Sequence, residues 1–123
     1  MTAAQIGKAG EDLAAAFLEQ EGYTIFSRNF HCRGGELDIV AAKGEILAFV
    51  EVRTRKKDGM VSPAESVTTA KRNKIIAAAY AFLEQHPGLE QSMQPRFDFI
   101  SIEAMGDDAA KWQIDHLCDA FRL

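Results

Sequence analysis

Carboxylates inside two strongly apolar segments are the feature of this sequence that could support chemistry. Glu36 and Asp38 lie in the run GELDIVAA, and Glu51 lies in the run ILAFVEV, whose other residues are typical of interior β-strands. A buried carboxylate is strongly destabilising unless it is paired, protonated or bound to a cation. The sequence therefore indicates that something compensates for these three charges.

A β-hairpin would bring these acids together. Lys43-Gly44 separates the two runs and is predicted to form a two-residue turn. In that register Glu36 faces Glu51, and Asp38 lies diagonal to Glu51 at about 7–8 Å. Alternation of side chains along each strand then puts a set of polar residues on one face of the sheet. The residues on this face are Glu36, Asp38, Phe49, Glu51 and Arg53.

Such a cluster is typical of a site for a hard divalent cation. Mg²⁺ and Mn²⁺ prefer oxygen ligands, and an ion held here would polarise a phosphodiester, activate water and stabilise the leaving oxygen. Glu11 is a further candidate because its helical neighbours at spacings of three, four and seven are small or apolar; it could equally flank an exposed helix turn. The alternative to a metal is a network in which Arg53 and Arg55 pair with the acids. The residues alone leave both explanations open.

Basic residues are concentrated in one part of an otherwise acidic chain. The formal net charge is -4, yet the segment from Arg53 to Lys74 has seven basic and two acidic residues, a local charge of +5 against -9 elsewhere. This distribution predicts contact with a polyanion such as nucleic acid, although an ordinary solvated face would have the same composition. The basic residues of the segment are Arg53, Arg55, Lys56, Lys57, Lys71, Arg72 and Lys74.

The elements that must hold these residues follow from periodicity and turn signals. The pattern predicts a helix, three strands, a second helix and two further strands, in one domain spanning residues 1–123. Ser62–Glu65 is predicted to form a capping-box turn before the second helix. The predicted bounds are a helix over Ala3–Gln20, strands over Tyr23–Phe30 and on either side of Lys43-Gly44, a turn over His31–Gly34, a helix over Thr69–Gln85, and strands over Arg96–Ala104 and within Lys111–Phe121.

Several classes of protein are disfavoured. The longest apolar run, IIAAAYAFL, is far shorter than the roughly 18 residues of a membrane-spanning helix. The N-terminal segment has acidic residues where a secretion signal would be apolar. Cys32 and Cys118 form neither a CxxC pair nor a disulfide framework, and His31-Cys32 lacks a second ligand pair at zinc spacing. We therefore expect a cytoplasmic protein with reduced cysteines and no membrane partner.

Five segments in order resemble the YraN family of small bacterial proteins, which is placed in the PD-(D/E)xK nuclease superfamily. The segments are GKAGEDLAAAFLEQEGYTIFSRNF, GGELDIVA, FVEVRTR, SPAESVTTAKRNKIIAAAYAFL and RFDFISIE. Together they cover nearly the whole chain. The family is also similar to archaeal Holliday-junction resolvases, which share the helix glutamate and the hairpin acids.

The resemblance implies an α/β fold with a restriction-endonuclease-like αβββαβ core, a mixed sheet flanked by helices. It matches Asp38 to the motif aspartate, Glu51 to the glutamate of the ExK half-motif, and Glu11 to the helix-borne glutamate. Glu36 belongs to the GE-x-D run and is a further candidate ligand. Lys71, near the start of the second helix, would point towards the site. Junction resolvases work as symmetric dimers, so the resemblance also implies a homodimer.

One position departs from the superfamily pattern. Arg53 stands where the ExK half-motif has its lysine. Arginine does not lose its proton in proteins, so Arg53 cannot act as a general base. It can still orient water or neutralise charge that develops on phosphorus. The substitution therefore puts catalytic competence in question.

The function that these observations favour is a metal-dependent endonuclease acting on DNA, with branched or damaged DNA in repair or recombination as candidate substrates. Asp38 and Glu51 would hold Mg²⁺ or Mn²⁺, with Glu11 and Glu36 completing the shell through water. Two alternatives are a nucleic-acid-binding module of the same fold without cleavage, and a protein-interaction domain in a repair assembly. The residues predicted to contact nucleic acid are Arg53, Arg55, Lys56, Lys57, Lys71 and Arg72.

Overall fold

The computed structural model describes residues 1–56 and 68–122, which form a mixed five-stranded sheet flanked by helices. This confirms the predicted fold class, and none of the described helices could cross a membrane. The elements are helix α1 (Ala3–Gln20), strands β1 (Thr24–Cys32), β2 (Gly35–Lys43) and β3 (Ile46–Lys56), helices α2 (Thr69–Gln85) and α3 (Leu89–Ser92), strand β4 (Gln94–Ala104), a 3-10 turn (Ala109–Lys111) and strand β5 (Gln113–Phe121).

The strands lie in the sheet in chain order, β1-β2-β3-β4-β5. β3 and β4 are parallel and pair along their whole length, from Ile46 opposite Gln94 to Lys56 opposite Ala104, whereas the other neighbours are antiparallel. The segment between β3 and β4 contains α2, as a parallel connection requires. The first six principal elements reproduce the αβββαβ order, and β5 extends the sheet.

Two hydrophobic cores lie on opposite faces of the sheet. Helix α1 covers one face through Ala14 and Leu18, which are fully buried against β-strand residues such as Val50. Helix α2 covers the other face, where Ile75 and Phe82 are buried in the second core. Each helix therefore presents one apolar stripe to the sheet, as its sequence periodicity predicted.

Local sequence signals set the ends of both long helices where they were predicted. The Thr2 hydroxyl accepts a hydrogen bond from the backbone N–H of Gln5 at 3.1 Å, and the Gln5 Oε1 accepts one from the backbone N–H of Thr2, which completes a capping box. The Thr68 hydroxyl accepts from the N–H of Lys71 in the same way. The predicted turn at Ser62–Glu65 lies outside the described residues. Other boundaries shift slightly, since β1 extends to Cys32.

The hairpin turn between β2 and β3 corrects the predicted register. The turn consists of Gly44 and Glu45, and the ladder pairs Lys43 with Ile46. Gly44 has a φ of 59°, a left-handed conformation that glycine adopts without strain. The register differs from the prediction by two residues, which leaves the paired side chains from Ile39 to Lys43 on their predicted faces but changes their partners across the strands.

The two outermost described strands are both irregular. β1 has a register shift between Ile25 and Ser27, and the pairing of β4 with β5 shifts between Phe97 and Phe99. Each strand also contains one residue other than glycine with positive φ, Asn29 in β1 and Asp119 in β5. The edges of the sheet are therefore bent.

Two glycines of α1 differ in their surroundings, which gives a matched pair of substitutions. A Cβ added at Gly10 would lie 2.9 Å from the Cβ of Thr54 on β3, whereas a Cβ added at Gly7 would meet nothing within 4 Å. We expect Gly10→Ala to lower the free energy of unfolding by about 1–3 kcal/mol through overpacking. Gly7→Ala should raise it by about 0.5–1 kcal/mol, because alanine favours the helix.

Urea unfolding of both variants, followed by circular dichroism, measures this difference. If Gly10→Ala were as stable as Gly7→Ala, the close approach of α1 to β3 at Thr54 would be wrong. Of these two glycines, only Gly10 serves the close approach of α1 to the sheet.

Candidate active site

Asp38 lies where the regular pleat of β2 is interrupted. Leu37 is buried in the core under α2, yet Ile39, two residues later, is buried in the core under α1. The backbone pairing of β2 with β3 ends at Ile39 and Val50. Beyond that pair, the Asp38 side chain bonds to the backbone of β3. Its Oδ2 accepts a hydrogen bond from the backbone N–H of Val52 at 2.8 Å. This hydrogen bond to β3 fixes the position of the Asp38 carboxylate.

Glu51 meets Asp38 from the neighbouring strand. Its side chain is 7% exposed, and the Asp38 and Glu51 carboxyl groups lie within hydrogen-bond contact of each other. Lys71 reaches Glu51 from the first turn of α2, with its Nζ 3.2 Å from Glu51 Oε1. The helix directs Lys71 to the site because Ile75 and Phe82, on the same stripe, are buried against the sheet. The site is therefore a carboxyl pair, buried at Glu51 and partly buried at Asp38, with one ammonium group.

Both carboxyl groups are held in a state that resists ionisation. Burial raises the pKa of Glu51 to about 7, and the negative charge of Asp38 adds to this effect while Lys71 opposes it. Burial also raises the pKa of Asp38, against the hydrogen bond from Val52. Two acids in contact cannot both ionise cheaply without a further cation. An additional positive charge at this point would therefore stabilise the ionised form of the pair.

Glu11 approaches the same point from α1. Its Oε1 is buried and has no hydrogen-bond partner among the described residues. Burial raises the pKa of Glu11, and the charge of Asp38 raises it further. The neighbouring Gly10 allows this approach, because it brings α1 against Thr54. An unsatisfied carboxylate oxygen in a group that interacts with the charge of Asp38 is consistent with a cation ligand.

These residues could supply only part of a Mg²⁺ or Mn²⁺ coordination shell by direct contact, and bound water would have to supply the rest. Across residues 1–56 and 68–122, only one trio of potential ligands has all its donor atoms within 4.8 Å of one another, and it does not include Asp38, Glu51 or Glu11. The Asp38–Glu51 pair could hold an ion directly. Glu11 would complete the shell through water, which Mg²⁺ commonly retains.

Glu36 does not occupy the position predicted for it. The corrected register ends its pairing with Glu51, so these two acids are not direct cross-strand neighbours. Glu36 is instead half exposed, and its Oε2 lies 3.2 Å from Nδ1 of His31. It still affects Asp38 through its negative charge, which raises the pKa of Asp38. Its role as a ligand through water remains a prediction.

The predicted basic residues do not form one continuous surface. Lys71 lies at the carboxyl pair, whereas Lys56 borders a depression beside Trp112 on the other side of the sheet. Arg72 lies over the ring of Phe121 at 5.6 Å. Arg53 and Arg55 enter no ion pair within the described ranges, so the proposed carboxylate–arginine network is not seen there. Lys57 lies outside the described residues.

A second buried acid, Asp98, was not predicted from the sequence. It is fully buried on β4, and each of its carboxylate oxygens accepts two hydrogen bonds. Oδ1 accepts from Arg96 Nε at 2.8 Å and from the backbone N–H of Asp119 at 3.0 Å; Oδ2 accepts from Arg96 Nη2 at 2.7 Å and contacts His116 Nε2 at 2.8 Å. Arg96 also donates to the Tyr23 hydroxyl. The sequence contains one hint of this burial, because Asp98 lies between Phe97 and Phe99.

Asp98 forms, with His116 and Cys118, the one trio with donor atoms inside 4.8 Å in the described part of the chain. The chemistry of this trio does not fit a metal. Both oxygens of Asp98 already accept two hydrogen bonds each, and the guanidinium of Arg96 already supplies the positive charge. We therefore assign Asp98 to the architecture of the sheet and the Asp38–Glu51 pair to the site.

Comparison with known proteins supports the resemblance found in the sequence. Residues 10–102 match the family described as "Uncharacterised protein family UPF0102", which is the YraN family. A UPF0102 protein of Geobacter sulfurreducens is 47% identical over 118 residues, covering 96% of this chain and 89% of its own. A UPF0102 protein of Clostridium perfringens is 45% identical over 118 residues, covering 96% and 94%. The chain belongs to the UPF0102 family.

Proposed function

We propose that the protein is a Mg²⁺- or Mn²⁺-dependent endonuclease acting on DNA, with branched or damaged DNA as its substrate class. The observation that carries the proposal is the contact of Asp38 with the buried Glu51, together with Lys71 at 3.2 Å from Glu51. Two acids whose ionisation is disfavoured, with an unsatisfied Glu11 oxygen whose carboxyl group interacts with the charge of Asp38, have the oxygen chemistry of a hard-cation site.

Each residue of the site has a distinct part in this proposal. Asp38 and Glu51 would bind the ion, which supplies charge for the phosphodiester and activates water. Glu11 would orient a water molecule through its unsatisfied Oε1. The ExK half-motif has a lysine where this chain has Arg53. Lys71 would supply the missing ammonium group, because its side chain reaches Glu51 from α2. Arg53, two residues after Glu51, would contact the phosphate through its guanidinium group.

A nucleic-acid-binding module without cleavage is the second candidate. Arg53 favours it, since arginine cannot replace the ExK lysine in proton transfer. The two candidates share DNA binding and differ in turnover. For both candidates we propose a cytoplasmic location, because the free thiols of Cys32 and Cys118 would stay reduced there.

The deciding experiment is a cleavage assay with Mn²⁺ on linear, flapped, gapped and four-way DNA. We expect cleavage of at least one branched or gapped substrate by the wild type and none in EDTA. Asp38→Asn is the matched variant, because asparagine is nearly isosteric and its carbonyl oxygen can still accept the Val52 N–H. It should bind DNA and fail to cleave it.

Calorimetry with Mn²⁺ checks the metal separately from turnover. The wild type should release heat on binding, and Glu51→Gln should bind at least tenfold more weakly. Binding of DNA by the wild type with no cleavage under any metal condition would favour the second candidate. Equal cleavage by Asp38→Asn and the wild type would refute the assignment of the site.

A further inference from the structure

An open cleft of about 390 Å³ lies beside the carboxyl pair, between the β1–β2 turn and α2. Its size is within the range of small-molecule sites. Its walls are mainly polar and basic, with Arg33 from the turn and Lys71 and Lys74 from successive turns of α2. None of the sequence predictions included Arg33 in the site.

Both walls of the cleft are firmly positioned. A Cβ added at Gly35 would collide with the backbone carbonyl of Lys74, and one added at Gly34 would lie 3.4 Å from the Cβ of Ala77. The turn therefore rests directly on the backbone of α2, which only glycine allows at Gly35. Arg33, which directly precedes Gly34, lines the same cleft as Lys74.

The charges of the cleft are not neutralised from within. Glu36 is the carboxylate among the described lining residues, and its contact is with His31 at 3.2 Å. Arg33 and Lys74 enter none of the ion pairs found within residues 1–56 and 68–122. A guanidinium fork beside an ammonium group is suited to phosphate oxygens.

We propose that this cleft binds a phosphate group of a nucleic-acid strand next to the phosphate presented to Asp38 and Glu51. The inference rests on the proposed function for its substrate class. Its geometric basis is Lys71, which lines the cleft and also contacts Glu51 at 3.2 Å. A strand that crosses both sites would have one phosphate at the carboxyl pair and another held by Arg33 and Lys74.

The test is DNA binding in EDTA, measured by fluorescence anisotropy with a labelled single-stranded oligonucleotide over a salt series. The test protein is the double variant Arg33→Ala/Lys74→Ala, whose changes are both at exposed side chains. The matched control is Lys8→Ala/Lys111→Ala, which removes the same charge from α1 and the 3-10 turn. Melting curves of both variants verify that they are folded.

We expect the cleft variant to bind at least tenfold more weakly and its salt slope to fall by about 0.7 to 1.4, as the loss of one or two phosphate contacts to a single strand requires. The control should remain within twofold of the wild type. A 5′-phosphorylated and a 5′-hydroxyl oligonucleotide separate two sources of the phosphate. A preference for the phosphorylated end that the cleft variant loses indicates a terminal phosphate, and equal affinities indicate an internal one.

Equal binding by the cleft and control variants would overturn the inference, as would an absence of DNA binding by the wild type. The result is independent of the cleavage assay. If the wild type cleaves DNA and the cleft variant binds DNA as well as the wild type does, the nuclease proposal stands and the phosphate-binding role of the cleft is rejected. Loss of binding in the cleft variant, without cleavage by any form, would retain the cleft and reject the nuclease.

Discussion

Replacement of Asp98 by alanine is expected to lower the free energy of unfolding by about 3–5 kcal/mol, a large part of the stability of a domain of this size. The variant leaves the guanidinium of Arg96 without its carboxylate and the backbone N–H of Asp119 without an acceptor. His116 loses its contact as well. The midpoint of urea unfolding at neutral pH measures the loss.

Asparagine should not rescue this position. Each oxygen of Asp98 accepts from one nitrogen of Arg96, so either orientation of an amide turns its NH₂ group towards a guanidinium N–H. The control is Asp115→Ala, which removes an exposed acid from the adjacent strand β5 and should change stability by no more than about 0.5 kcal/mol. An Asp98→Ala variant as stable as Asp115→Ala would mean that the buried network adds little to the fold.

Replacement of Glu51 by glutamine should remove a pH dependence of stability that the wild type shows in EDTA. The pKa of Glu51 is about 7 in the folded protein against 4.5 as its ordinary value. Between these pH values the folded state binds more protons than the unfolded state, so the stability of the wild type falls as pH rises. The loss is about 1.4 kcal/mol per pH unit, or on the order of 3 kcal/mol in total.

The variant should therefore match the wild type near pH 4.5 and exceed it above pH 7 in EDTA. Excess Mg²⁺ should reduce or reverse the difference, because only the wild type gains the full stabilisation from a bound ion. Glu45→Gln, in the exposed hairpin turn, is the control and should follow the wild type at each pH. If Lys71 alone compensates Glu51, Glu51→Gln would instead be less stable than the wild type at neutral pH with or without metal.

The carboxyl pair could be anticipated from sequence because it depends on local pattern. Side-chain direction in a strand alternates with period two, so an error of two residues in the turn left Asp38 and Glu51 on their predicted face. The same error gave Glu36 the wrong neighbour, since the partner across a hairpin depends on the turn itself. Lys71 was also predictable, because helical spacing places it on the buried stripe of Ile75.

The Asp98 network could not be anticipated in the same way. The alternating segment RFDFISIE predicts a strand, and the two phenylalanines beside Asp98 hint at burial, but nothing local identifies the partners of this aspartate. Its hydrogen-bond partners come from β4 itself and from β5, while Tyr23, which follows α1, bonds to Arg96. Such partners become neighbours only when the sheet is assembled. Burial of a polar residue is therefore a property of the tertiary fold, unlike the amphipathic patterns of the helices.

The irregular outer strands bear on how the protein behaves at high concentration. A straight edge strand offers its unpaired N–H and C=O groups as a template for another chain, which promotes aggregation. In the described part of the sheet, β1 and β5 each combine a register shift with a left-handed residue, Asn29 or Asp119. Such a strand bends away from the plane that a second strand would need. Each exposed edge is thereby made a poor template for intermolecular β-pairing.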